Sequence, residues 1–370
     1  MKVGVLTSSR ADFGIYLPLL KLLKEDSFFS LEIIAFGTHL SKKHGSTISE
    51  IEKYDFKKIH KIITTPELDS AKNIAQSIGD TISKFSNFWD KNLFDLVICL
   101  GDRYEMFAAV SASVPFNIDI AHIHAGETTL GAIDNAFRHA ISLFSKILFV
   151  STDQYKQRAL AIVEKDVQVF NVGALSIDNL RKESLLTKTE FLEKFKIDLN
   201  LPTILATFHP ETIDIEKNEI YINELLSTFD ELSKNYQVII TLPNTDTMGQ
   251  MIRDAIMAYQ KENDKLIVIE SFGMQGYLSC MKHCSFLLGN TSSGFVEASY
   301  FPKWVINLGR RQEGRIVSSN ILNTPIIKSK IIAQVNKIAN ATKLQKESIY
   351  GSGNTGEKII AKIKMQYEYK

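Results

Sequence analysis

The sequence predicts an α/β protein made of two doubly wound, parallel-sheet domains, and three observations predict it. Short apolar runs rich in β-branched residues alternate with amphipathic segments along most of the chain. The alternation lapses over the charged residues 176–201 and then restarts. At 370 residues the chain is also longer than one hydrophobic core ordinarily serves.

Taken in order, residues 2–7, 31–36, 96–100, 118–122, 146–150 and 167–171 read as buried strands. Helical segments fall between them at 15–25, 71–92, 104–113 and 152–164. Within 71–92, Ile74, Ile78, Ile82, Phe85 and Trp89 recur a turn apart and form one apolar stripe. Residues 176–201 read as a weakly structured linker. Beyond it, strands are expected at 203–207, 238–242, 266–269, 286–289 and 304–306, with helices at 223–232, 245–263, 276–282 and 294–300. The expected division is an N-terminal Rossmann-like domain over 1–175 and a C-terminal one over 176–355, with a final helix at 356–370 packing back on the first. Two such domains facing each other leave a cleft lined by strand carboxyl ends, where open α/β sheets bind ligands.

Composition removes several function classes. The formal net charge is +1, which makes no electrostatic case for nucleic acid or an anionic membrane surface. The apolar run at the start is too short for a signal peptide, and no run approaches the roughly 18 apolar residues of a membrane helix. Cys99, Cys280 and Cys284 are too sparse for a disulfide framework, so a cytoplasmic setting is expected. Cys280, His283 and Cys284 fit one helix turn facing the core better than a metal site, because no second ligand pair lies near them in sequence.

Five motifs sit at expected strand ends. Thr7-Ser8-Ser9-Arg10-Ala11-Asp12-Phe13-Gly14 follows the first strand. Its small residues would offer backbone N–H groups, and Arg10 a fork, to a phosphate; equally, the turn is a simple helix N-cap with a solvated Arg10. No G-x-G-x-x-G is present there, so the dinucleotide fingerprint is missing. In Gly101-Asp102-Arg103-Tyr104-Glu105, Asp102 on its own reads as a helix cap, although a carboxylate beside an Arg at a strand end also suits catalysis. The densest motif runs from His122-Ile123-His124-Ala125-Gly126-Glu127 through Asp134-Asn135 to Arg138-His139. A metal site is its rival reading, because His122 and His124 share one face of a strand. His209 ends the first strand of the second half within Thr207-Phe208-His209-Pro210-Glu211. Finally, Gly289-Asn290-Thr291-Ser292-Ser293-Gly294 leads into a helix carrying Glu297, with Arg310, Arg311 and Arg315 following; the pattern suits a diphosphate but is not a P-loop.

Together, and in this order, these motifs resemble the UDP-N-acetylglucosamine 2-epimerase family, from Val3 to at least Arg315. Ser9-Arg10-Ala11-Asp12, Gly101-Asp102-Arg103 and residues 133–139 are similar to the hydrolysing branch that starts sialic and legionaminic acid synthesis. The resemblance implies a glycosyltransferase-B-like architecture, no cofactor and no required metal, and relatives suggest a homodimer or tetramer. It implies UDP-binding roles for Arg10, Arg103, His209, Asn244, Phe272, Thr291, Ser292, Glu297 and Arg311. Asp102, Asp134 and His209 fall on catalytic positions. Some relatives carry a catalytic Glu where this chain has His124, so the proton-transfer role passes either to His124 or to Glu127. Asn135 stands where a second Asp is common. The implied activity converts UDP-N-acetylglucosamine and water into N-acetylmannosamine and UDP through a 2-acetamidoglucal. The competing expectations are the same chemistry on UDP-2,4-diacetamido-2,4,6-trideoxyglucose, a non-hydrolysing epimerase, a glycosyltransferase of the same architecture, and a nucleotide-sugar-binding protein without catalysis.

Overall fold

The apolar runs form two parallel sheets in the computed structural model, which describes all residues except 42–45, 65–69, 183, 244–247, 264, 343, 348 and 369–370. The first sheet contains β1 (Lys2–Thr7), β2 (Ser30–Phe36), β3 (Ile59–Ile62), β4 (Leu96–Leu100), β5 (Ile120–Ile123), β6 (Ile147–Val150) and β7 (Gln168–Asn171). Their order is β3-β2-β1-β4-β5-β6-β7, all parallel, with Val5 opposite both Ile33 and Ile98. Helices α1 (Arg10–Glu25), α2 (Ile48–Glu52), α3 (Ala71–Lys91), α4 (Tyr104–Ser111), α5 (Asp134–Leu143), α6 (Asp153–Leu160) and α7 (Leu175–Lys182) connect and flank these strands.

The second half begins with α8 (Lys188–Phe195) and continues through β8 (Thr203–Thr207), α9 (Asn218–Leu232), β9 (Gln237–Thr241), α10 (Gly249–Glu262), β10 (Leu266–Ile269) and α11 (Gly273–His283). It then adds β11 (Phe286–Gly289), α12 (Glu297–Tyr300), β12 (Trp304–Leu308), β13 (Ile321–Thr324) and α13 (Lys328–Ala339). Its sheet has the order β10-β9-β8-β11-β12-β13 and is likewise parallel. The last helix is α14 (Thr355–Tyr367). Among the described residues, no helix is long and apolar enough to cross a membrane.

Strand periodicity explains the packing. Side chains alternate between faces, so a strand buried on both must be apolar throughout. In the second sheet Ile204, Ala206, Val238, Ile240, Phe286 and Leu288 join the core under α9, whereas Leu205, Ile239 and Leu287 join Phe191, Phe272 and Phe295 in another cluster. In the first sheet Ile34, Phe36, Val97 and Cys99 pack against Phe85 and Trp89 of α3 and Met106 of α4. The Trp89 indole N–H donates to the Ala109 carbonyl at 3.2 Å, so its polar atom is satisfied inside that core.

Two compact units result. The first comprises Met1–Glu127, Asp134–Lys182 and Ile349–Lys370; the second comprises Thr128–Ile133 and Glu183–Ser348. The divide therefore falls after Lys182 rather than after residue 175, because α7 packs with α1 and α14. The expected linker is also helical. Within residues 176–201, α7 and α8 form, and Thr187 and Glu190 make a reciprocal capping box at the start of α8. The buried line of α3 runs through Ile74, Ser77, Thr81, Phe85 and Trp89, with Ile78 and Ile82 on its flank.

Candidate active site

Each sheet reverses its winding direction once. The first does so between β1 and β4, the second between β8 and β11. Connections leave to opposite faces at such a point, which opens a crevice at the strand carboxyl ends. Four of the five motifs singled out in the sequence end these four strands.

At the end of β1, Asp12 organises the turn. Its carboxylate accepts from the Thr7 hydroxyl at 2.5 Å, the Ser8 amide and hydroxyl at 2.8 and 2.9 Å, and the Ser9 amide at 3.1 Å. Ser9 caps α1 in return, which completes a capping box. Burial alone would raise the Asp12 pKa, but hydrogen bonding and charge from His39, with the bonds from Thr7 and Ser8, bring it below its ordinary value. Arg10 is the first residue of α1 and is half-buried.

At the end of β4, Gly101 turns the chain with a positive φ of 83°. Asp102 does not cap α4: the cap position belongs to Arg103, which supplies no side-chain bond to the helix. Arg103 instead forks onto the buried Glu105 carboxylate at 3.0 and 3.2 Å. Asp102 accepts a hydrogen bond from Arg138 of α5.

The densest motif, at the end of β5, resolves into two histidines with different tasks. His122 is fully buried, and its Nε2–H donates to the Gly101 carbonyl at 2.7 Å while Nδ1 lies 3.0 Å from the Ser142 hydroxyl. Desolvation, only partly offset by the Gly101 bond, pushes its pKa down to about 3, so the ring is neutral. His122 thereby ties the β4 turn to β5. His124 has a positive φ of 66°, and its Nδ1 lies 2.8 Å from Glu127 Oε1. Glu127 is 1% exposed; it also accepts from the Ser151 hydroxyl at 3.2 Å and from Arg138 at 3.4 Å. Arg138 is 2% exposed and joins the ends of β4 and β5, because it also donates to the His124 carbonyl at 3.1 Å. Asp134 begins α5 and is half-buried. Among the described residues no group of three or more His, Cys, Asp or Glu is arranged to hold a metal ion. Cys280 and Cys284 are buried, and His283 Nε2 lies 3.1 Å from the Leu186 carbonyl.

In the second unit, the ends of β8 and β11 are joined through one side chain. Asn290 accepts from the His209 amide at 2.7 Å and donates to the His209 carbonyl at 2.8 Å. Gly289 permits this approach: a Cβ there would stand 1.9 Å from the Thr207 carbonyl oxygen. Thr291, half-buried, caps a single 3-10 turn (Ser292–Gly294), and Ser292 is exposed. The helix expected at 294–300 is reduced to the four residues of α12, beginning at Glu297. Few peptide dipoles are aligned there, so hydroxyl and amide donors rather than a long helix dipole face any anion. Ser293 in turn meets the Tyr277 hydroxyl at 2.6 Å.

Arg311 is 8% exposed and donates to the Pro210 carbonyl at 2.6 Å. Arg315 donates to Gln312, and Gln312 to the Asn290 carbonyl, so this basic loop is braced against the β11 turn rather than solvated. Arg310 differs: its side chain is exposed and pairs with Glu313. The six residues Thr128–Ile133 lie against the same loop, with Leu130 N–H donating to Glu313 and Ile133 N–H to Thr212. Phe272 is 6% exposed, and its ring packs edge-on against Phe195 beside Phe191. Asn244 lies outside the described residues.

The structure thus brings Asp102, His124 and Glu127 together, and in the second unit it brings His209, Asn290 and the 291–293 turn together. The linking roles of Arg138, Ser151, Asn290 and Gln312 were not legible in the sequence. Arg138 was visible as an Arg four residues after Asp134, but nothing local says that it reaches two other strand ends.

Comparison with known proteins adds a family to this geometry. The family model described as UDP-N-acetylglucosamine 2-epimerase matches residues 21–364. A Campylobacter jejuni protein named GDP/UDP-N,N'-diacetylbacillosamine 2-epimerase (hydrolyzing) is 36% identical over 88% of this chain and 84% of its own. A Legionella pneumophila UDP-N,N'-diacetylbacillosamine 2-epimerase (hydrolyzing) is 32% identical over 98% of this chain and 95% of its own. The crystal structure of Neisseria meningitidis UDP-GlcNAc 2-epimerase bound to UDP-GlcNAc superposes with a TM-score of 0.81 at 18% identity, covering 98% of this chain and 99% of that one. At that identity the likeness speaks for the fold.

Proposed function

Because the chain belongs to the UDP-N-acetylglucosamine 2-epimerase family, we propose that it is a hydrolysing 2-epimerase of a UDP-linked 2-acetamido sugar, releasing UDP and the free C2 epimer. The observation that carries the reading is the cluster of Asp102 and His124 around the buried Glu127 and Arg138 at adjoining strand ends of the first unit. Charged groups with imidazole are expensive to bury and are retained where protons must be moved.

The reaction has two balanced halves. A base removes the C2 proton while the C1–O bond breaks; the C2–H electrons become the C1=C2 bond, and UDP leaves with the other pair. Water then adds: its hydroxyl goes to C1, an acid protonates C2 from the opposite face, and the water's remaining proton restores that acid. Inversion therefore needs acid/base groups on both faces of the sugar. We assign the machinery of these transfers to Asp102, His124, Glu127, Asp134 and His209. The UDP contacts are assigned to Arg10, Arg103, His209, Asn244, Phe272, Thr291, Ser292, Glu297 and Arg311. Donors aimed at the diphosphate stabilise the charge that develops on the leaving group.

The substrate favoured by this reading is UDP-2,4-diacetamido-2,4,6-trideoxyglucose, since the relatives at 36% and 32% identity carry diacetylbacillosamine in their names. UDP-N-acetylglucosamine is the second reading, supported by a Neisseria meningitidis UDP-N-acetylglucosamine 2-epimerase at 26% identity over 96% of this chain. Incubating each nucleotide-sugar with the protein in deuterated water, with NMR of the products, tests both. A free sugar epimerised and deuterated at C2 is expected. A UDP-linked epimer from either substrate would refute the hydrolysing assignment.

A further inference from the structure

His124 carries three features that a structural histidine does not need. Its φ is positive, a conformation costly to a residue with a Cβ. Its Nδ1 is engaged with Glu127 Oε1 at 2.8 Å. Its Nε2 is buried and has no hydrogen-bond partner among the described residues, although the side chain as a whole keeps 12% of its surface exposed. A buried polar atom without a partner is a penalty that calls for an explanation.

The surroundings fix the ring rather than merely accommodate it. Glu127 is held by the Ser151 hydroxyl at 3.2 Å on the oxygen that faces His124, and by Arg138 at 3.4 Å on the other. Arg138 also donates to the His124 carbonyl, so ring and backbone are both gripped. The intervening turn has no slack: Gly126 has a φ of 72°, and a Cβ there would stand 2.3 Å from the Tyr155 carbonyl oxygen. A carboxylate can only accept, so the Nδ1 that faces Glu127 carries a proton, and in that tautomer Nε2 presents a bare lone pair. His122, two residues earlier, has the opposite arrangement, with Nε2–H given to Gly101.

We propose that Ser151, Glu127 and His124 form an orienting relay in which His124 Nε2 is the base that removes the C2 proton, while Glu127 and Ser151 are positioning residues. This rests on the epimerase reading above. In the elimination the C2 proton moves to Nε2, the freed electron pair forms C1=C2, and the C1–O pair leaves with UDP. The imidazolium is stabilised by Glu127 and later gives its proton to solvent, which balances the added negative charge of released UDP. Protonation at C2 on the other face then falls to a different acid, for which Asp102 and Asp134 are available.

The test combines kinetics with a tautomer measurement. Asn tolerates positive φ, so His124→Asn keeps the backbone while removing the base. We expect kcat to fall at least about 100-fold, as for loss of a general base, with KM and UDP affinity within about threefold. Ser151→Ala should lower kcat about fivefold at unchanged KM, the effect of one neutral hydrogen bond. In 15N-histidine NMR of the intact protein, the signal that disappears in His124→Asn should report the Nδ1–H tautomer, shifting towards Nε2–H in Glu127→Gln. Turnover by His124→Asn within tenfold of wild type, or an Nε2–H tautomer at His124 in the wild type, would overturn the base assignment and leave the epimerase reading intact. Wild-type protein inert towards both UDP-sugars would remove that reading, and the assignment with it. If His124→Asn does not fold, Glu127→Gln identifies the His124 signal as the one whose tautomer it changes, and the wild-type tautomer decides alone.

Discussion

Acidification should destabilise the first unit through His122 before most carboxylates titrate. The folded ring has its pKa pushed down to about 3 from an ordinary 6.5 by burial. The unfolded chain therefore binds a proton that the folded chain refuses, and stability falls as pH drops below about 6.5. The slope approaches 1.4 kcal/mol per pH unit, so passing from pH 7 to pH 5 costs about 2 kcal/mol from this one group. The comparison is His122→Gln, which retains an amide donor for the Gly101 carbonyl but does not titrate. Its own cost is independent of pH, so only the difference in pH dependence matters. Urea-dependent hydrogen exchange of the β5 amides at both pH values reports the unit in question, and it avoids treating two units as one transition. If wild type and His122→Gln lose the same stability between pH 7 and pH 5, within about 0.5 kcal/mol, the reasoning is wrong.

Arg138→Met should destabilise the first unit by about 3 kcal/mol, since breaking a buried ion pair strands its partners, here moderated by the 23% exposure of the Asp102 side chain. Urea unfolding checks this, and a loss below 1 kcal/mol would mean that Arg138 is not the connector described. Asp102→Asn is expected to lower turnover about 100-fold or more while UDP affinity measured by calorimetry stays unchanged. Ser292 is exposed, so Ser292→Ala should fold normally and weaken UDP binding about tenfold, the scale of one hydrogen bond to a charged group; unchanged affinity would argue against that turn as the diphosphate site.

Much of the architecture was legible because buried parallel strands must be apolar on both faces, which makes runs such as Leu96–Leu100 and Phe286–Gly289 stand out. β3 was not legible: Ile59–Ile62 is a four-residue edge strand, half-exposed, with a Lys and a His in it. The register of β13, Ile321–Thr324, was hidden by its polar Asn323 and its brevity. The helices of residues 176–201 were obscured by charge, although Thr187 and Glu190 already spelled the capping-box signature three residues apart. In the site, residue types and strand-end placement could be read along the chain, whereas their pairing could not. Asp102 met Arg138 rather than the next helix, because a connection across 36 positions depends on sheet order and not on local spacing.

The way α14 is anchored has a consequence for synthesis. Both oxygens of Asp178 accept the first amides of that helix, Thr355 and Gly356, at 2.9 and 2.8 Å. The two ends of this bond are 177 positions apart, with the whole second sheet made in between. At typical translation speeds the carboxylate waits roughly 10–35 s for its partner. Throughout that interval the faces of α1 and α7 that α14 covers stand open on the ribosome. The nascent first half is thus the stage at which a chaperone has most to shield, and slow codons late in the message would lengthen its exposure.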